Sequence, residues 1–291
     1  MTSTDARWKS ALIVYYDLEY SGNIRHNFGK GCSIHQIAAE SKRDKFFVRI
    51  NPYLCKEVVE PPVDPKYHMP SKEGFHGLGA SDFPTAFNAL VGFVFALLKK
   101  RKKQWVCMVS HNGFRGDKIV LEHELHYHRL PLPPFLFLDS LLYLREVYPG
   151  LSSYSLTNLY EVLFEDKFEA HDAQTDTHAL TSIVQKLKKP LHGVLYPLLT
   201  VPWRNVSGIG YHTEQTFITK GFGDLCVLYH LSEGDEAKTI EMLRAYQIQL
   251  TDKVLANIFQ WYKLTEQIIA YAREDAQNYC NFVPRFNLQQ G

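Results

Sequence analysis

The chain has 291 residues, 45% hydrophobic and 22% charged, with no low-complexity tract; this excludes a mostly disordered polypeptide and leaves length for one large domain, or a domain with an appendage. Its formal net charge of +1 gives no overall attraction for nucleic acid, so any acidic polymer must be held by a local basic groove or through metal ions. The 5 cysteines (Cys32, Cys55, Cys107, Cys226, Cys280) are scattered, odd in number and never in a C-x-x-C pair, which argues against a disulfide framework or zinc site and for a reducing compartment.

The amino-terminal "MTSTDARWKS" lacks the apolar centre of a signal peptide, and no apolar run approaches a membrane span in length. A soluble intracellular protein, nuclear or cytoplasmic, is expected. "ALIVYYDLEY" is a β-branched and aromatic run ending in acids, and "GCSIHQIAAE" and "KFFVRI" supply two further strands. Residues 51–80, rich in proline, glycine and histidine, read as one long loop. "SDFPTAFNALVGFVFALLKKRKK" reads as a helix, with Ser81 or Asp82 placed to cap it and lysines suited to the negative end of its dipole. "WVCMVS" predicts a fourth strand, "GDKIVLEHELHYH" a helix, "PFLFLDS" a fifth strand, and "SYSLTNLYEVLF" and "TDTHALTSIVQKLKK" two more helices. This order predicts an α/β sheet covered by helices. Past Pro190, "PLHGVLYPLLTVPW" reads as a proline-rich linker and the remainder as all-helical, dividing the chain into domains 1–190 and 191–291.

Asp17 and Glu19 close the first strand two positions apart, so both point to one face. Adjacent carboxylates repel unless a cation lies between them, although a D-x-E pair alone also fits a solvated strand end. In "VSHNGFRGDKIVL" a strand runs into a sharp turn and Asp117 arrives at a helix start, where it could cap the helix or ligate an ion. In "HDAQTDTHAL" the same two roles are open to Asp176, with His171 on the loop before it. All these acids lie at strand ends or helix starts, where α/β folds gather their site groups.

In order, "DLE", "HNGFRGD" and "HDAQTD" resemble the DEDDh family of 3′-5′ exonucleases. The likeness is to the three-prime repair exonuclease branch, extending to "FLDSL" and "SSYSLTNLYEVLF" over about residues 11–189, with a looser similarity to the exonuclease-like terminal domain of long promyelocytic leukaemia protein isoforms. It implies an RNase H-like mixed sheet flanked by helices, with a smaller helical C-terminal domain. It also implies a metal-dependent 3′-5′ exonuclease that hydrolyses single-stranded DNA or RNA ends to nucleoside 5′-monophosphates. By the same resemblance Asp17, Glu19, Asp117 and Asp176 hold two ions, His171 is the general base, and Leu18, Tyr20 and Asn112 touch substrate.

Hard oxygen ligands suit Mg²⁺ or Mn²⁺. Two such ions about 4 Å apart can activate water and stabilise the leaving oxygen, and a histidine titrates near neutrality. Leu18 equally reads as core, Tyr20 as surface and Asn112 as a turn residue. The sequence departs from the family at "YSG", where a threonine usually precedes the glycine, and at Gly116, a place often held by an aromatic residue. Neither a proline-rich interaction loop nor a terminal membrane anchor is visible.

The "HELHYH" histidines, His123, His126 and His128, lack the i, i+4 spacing of a zinc helix and read as helix surface. The basic run Lys99 to Lys103 reads as a solvated helix end, a phosphate-contacting patch or a nuclear localisation signal. "VSGIGYHTEQTFITKGFGDLCVLYH" resembles a helix-hairpin-helix unit, which would make Gly208 and Gly210 contacts to a nucleic-acid backbone. The last helical stretch predicts packing or an oligomer face, which leaves a homodimer open. The competing reading is a catalytically weak nucleic-acid-binding or scaffold protein retaining the exonuclease fold.

Overall fold

Strand β1 (Ala11–Ser21) is apolar without interruption from Ala11 to Tyr16 and largely buried along its length, the pattern of a strand covered on both faces. In the computed structural model, which describes residues 8–22, 32–54, 79–198 and 203–274, it lies inside the sheet. β2 (Ser33–Ser41) pairs with it antiparallel and β4 (Trp105–Ser110) parallel, while β3 (Asp44–Arg49) adds antiparallel to β2. With β5 (Phe135–Asp139) and β6 (Leu195–Pro197) the strand order is β3-β2-β1-β4-β5-β6. This mixed, helix-flanked sheet is the RNase H-like α/β fold expected.

Helix α1 (Phe83–Lys100) starts where the Asp82 carboxylate accepts the Thr85 amide at 2.7 Å, with Pro84 in the first turn. Its buried stripe, Phe83, Phe87, Leu90, Val94 and Leu97, has helical spacing and packs against the first four strands. Contrary to the expectation from run lengths, this helix is long and apolar enough to cross a membrane by length and composition. Helices α2 (Asp117–Tyr127), α3 (Ser140–Val147), α4 (Leu156–Phe164) and α5 (Ala173–Leu187) follow, and α5 packs on β1 and β2.

Two elements were not foreseen. α3 follows β5 with no loop, because Asp139 is both the last strand residue and the helix cap, accepting the Leu141 amide at 2.9 Å. β6 lies in the stretch read as a linker; all three of its residues, its proline included, are buried. Of the long loop over 51–80, residues 55–78 lie outside the described residues.

The chain forms two compact units, one of residues 1–131 and 138–193, the other of residues 132–137 and 194–291. The second contains α6 (Tyr211–Thr219), α7 (Leu225–Ser232), α8 (Glu236–Ala245) and α9 (Asp252–Glu274). At its centre Trp203 stacks on Phe217 at 3.9 Å and donates its indole N–H to the Phe222 carbonyl at 2.7 Å. Among the described residues the helical structure between β6 and Gly208 is one 3₁₀ turn, Trp203–Asn205, so the first helix of the expected hairpin unit is replaced there by a single turn. Gly208 is at φ +91°, and a Cβ would come within 2.7 Å of Val254 Cγ2. Packing against α9 therefore accounts for this glycine. Gly210 is the extended residue ahead of α6, with open space around it.

Candidate active site

Asp17 and Glu19 lie opposite Ala38 and Gln36, and the β1–β2 ladder bulges just after them, between Glu19 and Tyr20. Helix α5 covers this face. Its Ala173 amide donates to the Gln36 side chain at 3.1 Å, tying the helix start to β2. Asp172, not Asp176, caps α5, accepting from the Thr175 amide at 3.1 Å and hydroxyl at 3.2 Å. Asp176 is thereby released from capping, and one ligand oxygen each from Asp17, Glu19 and Asp176 lies within 4.8 Å of the others. Asp176 Oδ2 accepts the His171 amide at 3.2 Å, whereas its Oδ1 is buried with no hydrogen-bond partner.

Asp117 comes from the turn after β4. Gly116 holds the cap position of α2, so Asp117 is its first residue, buried and with no capping role. The turn is held by Asp139: Oδ1 accepts the Asn112 amide at 2.9 Å as well as that of Leu141, and Oδ2 accepts the Phe114 amide at 3.2 Å. At Gly113 a Cβ would sit 1.7 Å from the Ser110 hydroxyl, so any other residue there would have to displace the Ser110 side chain. At Gly116 it would meet the Tyr20 hydroxyl at 3.2 Å, so the glycine leaves the room in which that hydroxyl sits.

The carboxylates perturb one another. Burial, then the charges of Asp117, Asp176 and Glu19, push Asp17 well above the ordinary carboxylate range. Asp117 is raised in the same way by burial, then by Glu19 and Asp139. Burial followed by Asp176 and Asp172 lifts Glu19 to about 7. Asp176 rises to about 6 through burial, partly offset by the His171 amide. Packed like charges, hard oxygen donors and an orphaned carboxylate oxygen fit a divalent cation.

His171 is exposed at φ +73° on the loop before α5. Leu18 is 4% exposed and by strand alternation lies on the face opposite the acids, packed in the core. Tyr20 is part-buried, its hydroxyl beside Gly116, and burial with the charges of Asp117 and Asp17 raises its pKa. The Asn112 backbone takes the left-handed conformation at φ +57°, with the side chain exposed. In the histidine-rich stretch His128 pairs with Glu124 at 3.3 Å and stacks on Phe83, while His126 is exposed. Asp139 and Asp172 escaped the sequence reading of the site. The signal for both was an acid immediately before a helical run.

Fold and site define an RNase H-like α/β protein with a buried carboxylate cluster at the end of an inner strand. No family model and no curated protein sequence matches the chain. Among solved structures it is similar to cell-death related nuclease 4 (CRN-4), at 15% identity over 61% of this chain and 64% of that one, with a TM-score of 0.44. It is also similar to the 3′-exonuclease of a structure describing 3′-end specific recognition of a histone mRNA stem-loop, at 16% identity, 63% and 66% coverage and a TM-score of 0.49. A third is the nuclease domain of 3′hExo, a DEDDh family member, bound to rAMP, at 17% identity, 59% and 88% coverage and a TM-score of 0.46. The match spans just under two thirds of the first two chains. At such identities activity must be read from the site's own residues.

Proposed function

We propose that the chain is a metal-dependent 3′-5′ exonuclease acting on single-stranded DNA or RNA ends and releasing nucleoside 5′-monophosphates. The observation that carries this reading is the triad of Asp17, Glu19 and Asp176, whose oxygens lie within 4.8 Å while Asp176 Oδ1 is buried without a partner. In this reading Asp17, Glu19, Asp117 and Asp176 would hold two Mg²⁺ or Mn²⁺ ions, which when bound would supply Lewis acidity to activate water and to neutralise the leaving oxygen.

The chain's own groups do the rest. His171 accepts the proton of the attacking water at a ring nitrogen, and its loop is tied to the cluster because its own amide bonds to Asp176. Asp139, through three backbone amides, holds the turn that presents Asp117. The water oxygen bonds to phosphorus as the P–O3′ bond breaks. The shortened strand keeps a 3′-hydroxyl and the released nucleotide carries the 5′-phosphate.

The test is a gel assay with Mg²⁺ on 5′-labelled single-stranded DNA and RNA of one sequence, with Asp17→Ala as control. A ladder shortening from the 3′ end with wild type alone is expected. No degradation in either Mg²⁺ or Mn²⁺ would overturn the reading in favour of a binding or scaffold protein that kept the fold.

A further inference from the structure

At the end of the sheet away from the carboxylates, two turns meet: the β2–β3 turn and the turn from α1 into β4. Residues 41–45 and 99–104 together contain eight lysines or arginines and one acid, Asp44. The turns are braced. Arg101 donates to the Ser41 hydroxyl and carbonyl, each at 2.6 Å, and to the Asp44 carboxylate at 2.5 Å, while Lys100 reaches Asp44 at 3.0 Å. With Asp44 so engaged, Lys42, Arg43, Lys99 and Lys102 are exposed and make no ion pair among the described residues. In a chain of net charge +1, this is a concentrated positive pole on a rigid frame.

The pole is continuous with the face that carries the acids. Lys45 pairs with Glu40 at 3.5 Å and comes within 3.4 Å of His178 on α5, the helix that bears Asp176. Its distance from the site follows from register. The Ser41 hydroxyl bonds the Ile13 carbonyl, and Trp105 pairs with Ala11. Four and six residues of strand separate these levels from Asp17, so the pole begins about 13 to 20 Å from the carboxylates. That distance is about four to six phosphates of a stacked strand.

We propose that the braced basic pole of Lys42, Arg43, Lys45, Lys99 and Lys102 binds the phosphate backbone of a single nucleic-acid strand whose 3′ end occupies the carboxylate site. The partner chemistry is a polyanion of regular charge spacing and no required base sequence, and the proposal rests on the exonuclease reading for the polarity of the strand. It predicts length-dependent binding: a strand of about 4 nucleotides fills the site only, and one of about 16 also crosses the pole.

The test uses the full chain and the charge-reversed variant Lys42→Glu/Arg43→Glu/Lys102→Glu, with unchanged thermal unfolding confirming its fold. Binding of fluorescein-labelled oligothymidylates of both lengths, phosphorothioate-linked to resist cleavage, is followed by anisotropy in Mg²⁺, and hydrolysis of thymidine 5′-phosphate p-nitrophenyl ester in Mn²⁺ reports the catalytic centre alone. The variant is expected to bind the long strand about tenfold or more weakly, with a salt slope smaller by about 2, and to match wild type on the short strand and the ester. Equal binding of the long strand by both proteins, or no length dependence in wild type, would overturn the pole. So would displacement of the strand by polyglutamate as effectively as by oligonucleotide, which would make the partner an acidic protein. Ester hydrolysis with unaltered long-strand binding removes the pole alone. Weakened long-strand binding by the variant, with no hydrolysis of any substrate by wild type, supports the pole and removes the nuclease reading.

Discussion

Two sets of buried charges lie one residue apart at the start of α2. Lys118 and Glu122, 1% and 6% exposed, face each other across one helical turn and neutralise each other. Asp117, equally buried, faces Glu19, Asp139 and Asp176, all of its own sign. The first set pairs opposite charges and serves the fold. The second gathers like charges, an arrangement that fits a divalent cation, and such clusters of perturbed acids are characteristic of sites.

The strongest way to break this contrast is Asp17→Ala. Cleavage should fall by about three orders of magnitude, the loss of several kcal/mol of charge stabilisation, while melting in chelator is unchanged or higher because repulsion is relieved; a fully active variant would sink the metal assignment. For His171→Ala a large loss of rate is expected with metal affinity retained, as measured by calorimetric titration. Loss of metal affinity instead would show that His171 has another role.

Glu122→Ala should act on the fold, breaking its buried pair with Lys118 at about 3 to 5 kcal/mol in urea unfolding, whereas Lys118→Met/Glu122→Leu should be near neutral. Asp139→Ala leaves three amides without their acceptor, for about 1 to 3 kcal/mol, and should depress cleavage further by releasing the turn that presents Asp117. Cleavage unaffected in folded Asp139→Ala would remove that positioning role.

The smallest effect is on pH. Glu19 and Asp176, raised to about 7 and about 6, bind protons more tightly folded than unfolded. Their contribution to stability is therefore present at low pH and lost as pH rises through 6 to 7. In chelator the melting temperature should fall by several degrees from about pH 5 to about pH 8, and Mg²⁺ should restore it at the upper end. His35 has the opposite sign. Buried and held down to about 4, it loses stability as pH falls from 6.5 towards 4, so His35→Leu should steepen the fall seen in chelator. A flat profile in both proteins would show that these groups are not buried as described.

Strands and long helices were legible because their cues are local: β-branched runs in β1, helical spacing in α1, and acids or serines ahead of helices. α3 was hidden because Asp139 serves strand and helix at once, leaving no loop to read. β6 was hidden because three residues, one of them a proline, carry no period. The acids of the site were legible as residues, but not the division of labour among them. Asp172 and Asp176 are both acids near one helix start, and only the Thr175 contacts show which caps it and which is left for the site.

The β1 ladder also gives the site a parity. Side chains on a strand alternate faces, so losing one residue from Ala11–Tyr16, with the pairing before the gap kept and the rest slipping by one, would turn Asp17 and Glu19 to the opposite face and bring Leu18 to theirs. Losing two would keep every residue on its own side. The one odd step in the β1–β2 ladder, where β2 carries the extra residue His35 between the partners of Glu19 and Tyr20, falls after both acids and leaves their facing untouched. Upstream of Asp17, drift in the length of this strand can therefore survive only in even numbers, a constraint that acts on insertions and deletions and leaves substitutions free.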